Sequence, residues 1–471
     1  MSDSPGTSWG ERVKAGLPFG VAWLVLAGAL LAYPMSQHPV GWGWLETVRL
    51  ESVAAFQHRE TQWLAAVCAG IYFVGFLYLR HLVTGRSVRR SPRSVLILIF
   101  VGWAAWVYAR DYPASATRSD FLTLLAALGA GQGVAFWIAW EARRSLPRDV
   151  GVFVLGTLVV MLAGATLLHP DAGMAYQYRG AARWKGLWDN PNTFGVLMAV
   201  GLVLAVGLML RAAAVKAEAG RVRRWGIASW WGLCALATGV GLLKSFSRGA
   251  WLGAALGLGW LGWQWLRTKT GFTTKTHTGW RLVRACAPAW LLALAAAGVL
   301  AFWGFRHTET PLVRRVFTVG NANDLSWRNR VATWPGALEV MARRPLVGWG
   351  WGKPATVFEQ GHKPLTLSEG GAVTLNDYLM LGMTLGMPAL LIFVGWIWLG
   401  WRGGLTKLCA PDSAGGGCMI PLHCLAGLLP CVLALALDGA LFKVAVAVPL
   451  FVLLEIGSFG SENGRIPVSG V

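Results

Sequence analysis

Lys244-Ser245-Phe246-Ser247-Arg248-Gly249 is a short polar break between two apolar runs, roughly 225–243 and 249–266, each near the length that crosses a bilayer. An arginine at the centre of a transmembrane helix costs about 2.5–3.5 kcal/mol. Such a residue therefore faces a cavity, a partner or an anionic ligand. Reading outward from Arg248, apolar runs alternate with short basic loops along most of the chain. One long polar segment, Arg306 to Gly371, breaks that alternation and holds another dense set of arginines. A buried cation beside a basic loop points to a membrane enzyme that handles something anionic.

Composition agrees. The chain has 471 residues, is 55% hydrophobic and 14% charged, and has a mean hydropathy of +0.50. Those values exclude disorder and an ordinary soluble domain. A net charge of +20 would suit nucleic acid, but it clusters in the short loops, as the positive-inside rule predicts. Membrane lipid is the expected partner, and nucleic acid is not. The expected fold is all-α and polytopic, with about twelve transmembrane helices in a single domain. The spans fall at roughly 17–34, 62–79, 94–109, 120–140, 150–168, 193–210, 225–243, 249–266, 287–304, 386–401, 419–437 and 440–457. Residues 305–371 are expected to form one large external loop between the ninth and tenth, which the resemblance described below makes periplasmic. Every even-numbered exit is basic: Arg80 to Arg93, Arg143 to Arg148, Arg211 to Arg224, Arg267 to Arg284. Both termini are thus expected in the cytoplasm, and the first apolar stretch reads as a retained signal anchor.

The 28 tryptophans fit an interfacial belt. Cys68, Cys234, Cys424 and Cys431 fall in spans, and Cys286, Cys409 and Cys418 on the cytoplasmic side. No disulfide is expected. Zinc-type spacing is absent, and neither metal nor cofactor is expected.

The external loops carry the candidate chemistry. In Arg183-Trp184-Lys185-Gly186-Leu187-Trp188-Asp189-Asn190-Pro191-Asn192, Asn190 suits an N-cap and Pro191 a first helical turn. Free N–H groups and the positive helix end, with Arg183 and Lys185 nearby, would make a phosphate cradle. The bland alternative is a capped helix with solvated charges. Gly249, Gly253 and Gly257 recur every four residues and allow close helix packing. Arg248 and Lys244 would then point into the crevice, unless Arg248 merely snorkels. Ser326 can cap a helix with Val331, Trp334, Leu338 and Met341 on one face, kinked at Pro335 and ended by Arg343-Arg344-Pro345. Arg328 and Arg330 near its start oppose the dipole unless an anion lies between them. Gly348-Trp349-Gly350-Trp351-Gly352-Lys353 lacks P-loop spacing and reads as a flexible aromatic turn that a sugar could stack on.

These pieces in this order resemble the O-antigen ligase and O-antigen polymerase superfamily of bacterial envelope enzymes. The matching elements are Arg183…Gly186…Asn190-Pro191-Asn192, then Ser247-Arg248-Gly249-Ala250-Trp251-Leu252-Gly253, then Arg330-x3-Trp334. Pro345-Leu346-Val347-Gly348-Trp349-Gly350 and Asn376-Asp377-Tyr378-Leu379 follow, so the similarity covers about 150–400. The resemblance implies a twelve-span fold whose members transfer a glycan from undecaprenyl pyrophosphate, with inversion and without a metal. Acceptors are lipid A-core or a growing polysaccharide, on the periplasmic side of the inner membrane. It places Arg248 and Arg330 on the pyrophosphate leaving group, where preorganised cations stabilise developing charge best. Arg183, Lys185, Asn190, Asn192, Lys244, Arg328 and Asn376 are the further candidates for substrate binding.

One position departs from the family. Where members have a histidine before Asn376, thought to assist the acceptor hydroxyl, this chain has Leu375. Asp377, His362 or Glu369 could replace it as base. Otherwise the reaction depends on leaving-group stabilisation alone, or activity is lost or changed. Two competing readings are a lipid-glycan or small-solute transporter of the same topology and a non-catalytic scaffold. A proton- or sodium-coupled transporter needs intramembrane carboxylates. Here the candidates are Asp438, in a short external turn, and Glu455.

Overall fold

The computed structural model describes residues 59–85, 87–88, 91–112, 120–143, 150–167, 177–178, 181–188, 190–214, 221–269, 325–362, 376–408 and 419–458. Numbered within those residues, the helices are α1 (Arg59–Thr84), α2 (Pro92–Arg110), α3 (Asp120–Arg143), α4 (Val150–Leu167), α5 (Pro191–Ala214), α6 (Arg221–Lys244) and α7 (Arg248–Lys269). Then come α8 (Leu325–Arg343), α9 (Lys353–Gly361), α10 (Asp377–Leu385), α11 (Met387–Leu408), α12 (Met419–Leu437) and α13 (Val444–Ser458). A two-residue antiparallel ladder, β1 (Gln177–Tyr178) with β2 (Ala181–Ala182), is the one departure from an all-α fold among the described residues.

Eight of these helices are long and apolar enough to cross a membrane: α1 to α6, α11 and α12. They coincide with eight of the twelve expected spans. The expected spans 17–34 and 287–304 lie outside the described residues. The run at 249–266 is helical, as α7, but rich in Trp and Gly and not among those eight. The last expected span forms α13, apolar but only 15 residues long.

Burial separates an inner from an outer set. α13 is buried along almost its whole length, against α3, α11 and α12. The outer helices turn large apolar side chains outward instead: Leu64, Ile71 and Leu82 on α1, Trp230, Leu233 and Leu236 on α6. Such faces would be costly in water and match the hydrocarbon of a bilayer, where the helix satisfies its own backbone. The chain is a multi-pass membrane protein.

The inner packing depends on close approach. A Cβ at Gly253 would stand 2.7 Å from the Cα of Pro430, and one at Gly257 2.8 Å from the carbonyl oxygen of Ala426. The four-residue glycine repeat thus seats α7 directly on α12. At the far end of α13, Glu455 is 1% exposed. It accepts from Arg80 (2.9 Å), from both Nη atoms of Arg93 (2.7 and 3.1 Å) and from Gln132 (2.9 Å). Arg93 also donates to Ser458 and lies over the Trp396 ring. Two arginines counted above as basic-loop charge are therefore buried, tying α1 and α2 to α13.

The described part of the large loop, 325–362, is ordered secondary structure. α8 runs through Pro335, ends at Arg343 as expected, and holds Ser326 inside its first turn rather than at its cap. Gly348 to Lys353, which the sequence suggested as a flexible aromatic turn, is hydrogen-bonded to the surrounding fold. Trp349 N and Gly350 N donate to the carbonyls of Met383 and Thr384 (2.8 and 3.0 Å). Trp349 Nε1 donates to Val340 O at 2.8 Å, and Trp351 Nε1 to Ala104 O at 3.1 Å, with Trp351 only 2% exposed. Their polar edges are spent on the fold. Gly350 has φ +94°, and a Cβ there would collide with the Asp111 carboxylate. Asp111 in turn pairs with Lys353 at 3.2 Å, which fastens the turn to the end of α2. The described cysteines, Cys68, Cys234, Cys424 and Cys431, are free thiols.

Candidate functional site

Two helices begin beside one cleft. Pro191 opens α5 with Asn190 as its cap, the Asn190 Oδ1 accepting from Asn192 N at 2.8 Å. Arg248 opens α7 directly after the Ser245-Phe246-Ser247 turn, with Trp251 N bonded to Ser247 O at 3.0 Å. That turn is tight: Phe246 sits at φ +53°, the one non-glycine positive φ among the described residues. Backbone held in that region costs of order 1–3 kcal/mol and persists where the surroundings over-determine it. Gly195 is part of those surroundings. A Cβ there would be 2.7 Å from Ser245 Oγ and 2.8 Å from Ser247 Cβ, so only glycine lets the turn lie against α5.

The cleft between these helix starts has a volume of about 120 Å³ and is lined by Arg183, Asn192, Ser247, Arg248, Gly249, Arg330, Leu437 and Asp438. Arg183 donates from Nε to Ser245 O (2.8 Å) and from Nη2 to Asn192 Oδ1 (2.7 Å). Asn192 passes the contact on, its Nδ2 donating to Asp438 Oδ1 at 3.0 Å. Arg330 Nη2 reaches the same oxygen at 2.9 Å, with side chains 13% and 7% exposed. Gly249 makes the room, since a Cβ there would come within 3.1 Å of Asp438 Oδ2. The cleft thus holds three guanidiniums and the positive ends of two helix dipoles against one carboxylate. Burial pushes the Asp438 carboxyl up, opposed by Arg330, Lys443 and Arg183. Arg330 Nε is buried without an acceptor among the described residues. A buried donor left unpaired costs free energy and marks a place for an acceptor atom.

Four of the candidates taken from the sequence, Arg183, Asn192, Arg248 and Arg330, line this cleft together. Asn190 caps the helix behind it. The others lie elsewhere. Arg328 is exposed, because residues two apart on a helix do not share a face, and Arg330 takes the inward one. Lys244 is exposed with its ammonium 5.9 Å from the Trp184 ring, while Lys185 is half-buried, in the loop before α5. Asn376 caps α10, accepting from Leu379 N at 3.1 Å. His362 ends α9 with its side chain buried and its Nδ1 3.0 Å from Glu339 Oε2. Asp377 is 1% exposed, and its Oδ2 accepts from Ala440 N and Leu441 N at 2.5 and 2.7 Å. Burial pushes its carboxyl up to about 7 against those two hydrogen bonds. Leu375 and Glu369 lie outside the described residues.

Asp438 is the site residue that sequence reasoning gave a different use, as a possible transporter carboxylate. Its signal was there, an acidic residue at the mouth of two apolar runs in a basic chain. Its partner was not, since Arg330 is 108 positions away.

Residues 233–394 match the family model described as O-antigen ligase. No curated protein matches the chain. The matched segment holds Arg248, Arg330 and Asp377, whereas Arg183 and Asn192 precede it and Asp438 follows it.

Proposed function

From an O-antigen ligase domain within a multi-pass membrane protein, we propose that the chain is a glycosyltransferase acting on a polyprenyl-pyrophosphate-linked donor. The donor is an undecaprenyl-pyrophosphate glycan, and the acceptor is lipid A-core or a growing polysaccharide. The reaction takes place on the periplasmic side of a bacterial inner membrane. The single observation that carries this reading is the convergence of Arg183, Arg248 and Arg330 on one cleft beside two helix N-termini. Planar guanidiniums bind diphosphate oxygens bidentately, and fixed cations in a partly buried cleft stabilise charge as it develops.

In that reaction the bond from the anomeric carbon to the diphosphate oxygen breaks. Its electron pair leaves with the diphosphate, toward Arg248 and Arg330, while the acceptor oxygen takes its place on the opposite face and gives up its hydroxyl proton to water. The two carboxylates named above for a coupled transporter are engaged, Asp438 with Arg330 and Glu455 with Arg80 and Arg93.

The test is the purified protein in liposomes with an undecaprenyl-pyrophosphate glycan and candidate acceptors. Release of undecaprenyl pyrophosphate in step with a new glycosidic product is the expected result. Movement of the intact lipid-linked glycan without release would overturn the reading.

A further inference from the structure

Asp377 follows the cap of α10, outside the residues that line the cleft, yet it is hydrogen-bonded to the segment that carries Asp438. Residues 438–443 turn the chain from α12 into α13. Asp438 N closes the end of α12 on Ala434 O at 2.8 Å, Gly439 takes φ +60°, and Lys443 N returns to Ala440 O at 3.3 Å. Ala440 and Leu441 are 3% and 0% exposed, so their backbone N–H groups need an acceptor inside the protein. Asp377 Oδ2 is that acceptor for both. From the other side, Lys443 Nζ holds Thr193 Oγ1 at 3.1 Å, next to Asn192.

A general base must turn a free lone pair toward the acceptor hydroxyl. Asp377 is 1% exposed and spends Oδ2 on two backbone donors. We propose that Asp377 is a positioning residue: by clamping Ala440 and Leu441 it fixes the turn that presents Asp438 to Arg330 and Asn192, and so sets the leaving-group guanidinium. This inference rests on the glycosyl-transfer reading above. It ties the Asn376-Asp377 motif to the diphosphate end of the cleft rather than to acceptor deprotonation.

The experiment compares Asp377→Ala, Asp377→Asn and the unaltered protein by donor kinetics and by amide hydrogen exchange over residues 438–443. An asparagine carbonyl can accept the same two N–H groups but cannot take a proton. Asp377→Ala should lower kcat/KM for the donor at least about tenfold while leaving KM for the acceptor in place. It should also speed exchange in the 438–443 segment at least about tenfold, as local opening becomes easier. Asp377→Asn should rescue most of both losses. Loss of about a hundredfold or more in Asp377→Asn, with exchange unchanged, would make Asp377 the base and overturn the proposal. That arm stands by itself if the alanine variant does not fold. Normal kinetics and exchange in Asp377→Ala would overturn it equally. If the unaltered protein releases no undecaprenyl pyrophosphate, the transfer reading fails separately. Exchange and binding of inorganic pyrophosphate then decide the clamp, which is wrong if Asp377→Ala changes neither.

Discussion

Arg248 stands at the first position of a helix, where the dipole opposes a cation and an anion between the two is favoured. Replacing it with lysine keeps the charge and loses the planar fork. Arg248→Lys is expected to slow undecaprenyl pyrophosphate release at least about tenfold, or roughly 1.4 kcal/mol of barrier, at normal expression. Full rates in both Arg248→Lys and Arg248→Ala would leave it a snorkelling cation. Arg330 lines the same cleft. If both guanidiniums act on one leaving group, the double alanine variant should be scarcely slower than the worse single one, because such effects are not additive. Gly249 is a quieter member of the site. Its added Cβ would lie 3.1 Å from an Asp438 oxygen whose carboxylate is already held by Arg330 and Asn192. Gly249→Ala should therefore reduce activity while the protein still folds, read as rate against melting temperature. Arg248 was legible in the sequence because charge among apolar residues is conspicuous. Asp438 was legible only as a carboxylate without a partner.

Between elements, glycine at one helical position is required and at another is merely tolerated, and the sequence does not distinguish them. Gly253 abuts Pro430 with a would-be Cβ–Cα distance of 2.7 Å, whereas a Cβ at Gly259, on the same helix, meets nothing within 4 Å. Gly253→Ala should destabilise the detergent-purified protein by about 1–3 kcal/mol through overpacking. Gly259→Ala should be neutral or stabilise it by up to about 1 kcal/mol, since alanine is the better helix former. Equal thermal midpoints for the two variants would show that α7 does not rest on α12 in this way. The four-residue period predicted a packing face, and α12 is what it packs on. The Gly348–Lys353 turn shows another limit. Its tryptophans look available in sequence, but backbone carbonyls at Val340 and Ala104, contributed by other elements, accept their indole N–H groups.

For the whole molecule, the apolar exterior and the buried ionic cluster each carry a prediction. Glu455 pairs with both Arg80 and Arg93, all three side chains buried. Removing one partner of a buried pair costs about 3–5 kcal/mol, because the remaining charge stays desolvated. Glu455→Gln should accordingly lower yield and melting temperature sharply, and a variant as stable as the parent would mean that water reaches the arginines. Orientation follows from the basic loops. Cysteines introduced at Val88 and Val222 should resist an impermeant thiol reagent in intact cells, while one at Gln360 should react. The reverse pattern would invert the proposed placement of the cleft. Hydropathy, loop charge and helix-end residues are properties of contiguous segments. The sequence by itself therefore determined a helical membrane protein, most of its spans, the capped start of α5 and Arg248 as a charge set between two apolar runs. The cleft brings together Arg183, Arg248, Arg330 and Asp438 from four separate segments, and the clamp joins Asp377 to residues 440 and 441. Only the tertiary structure decided those pairings. Which distant charge meets which is set by how helices pack through their small residues, and no local pattern in the chain records that.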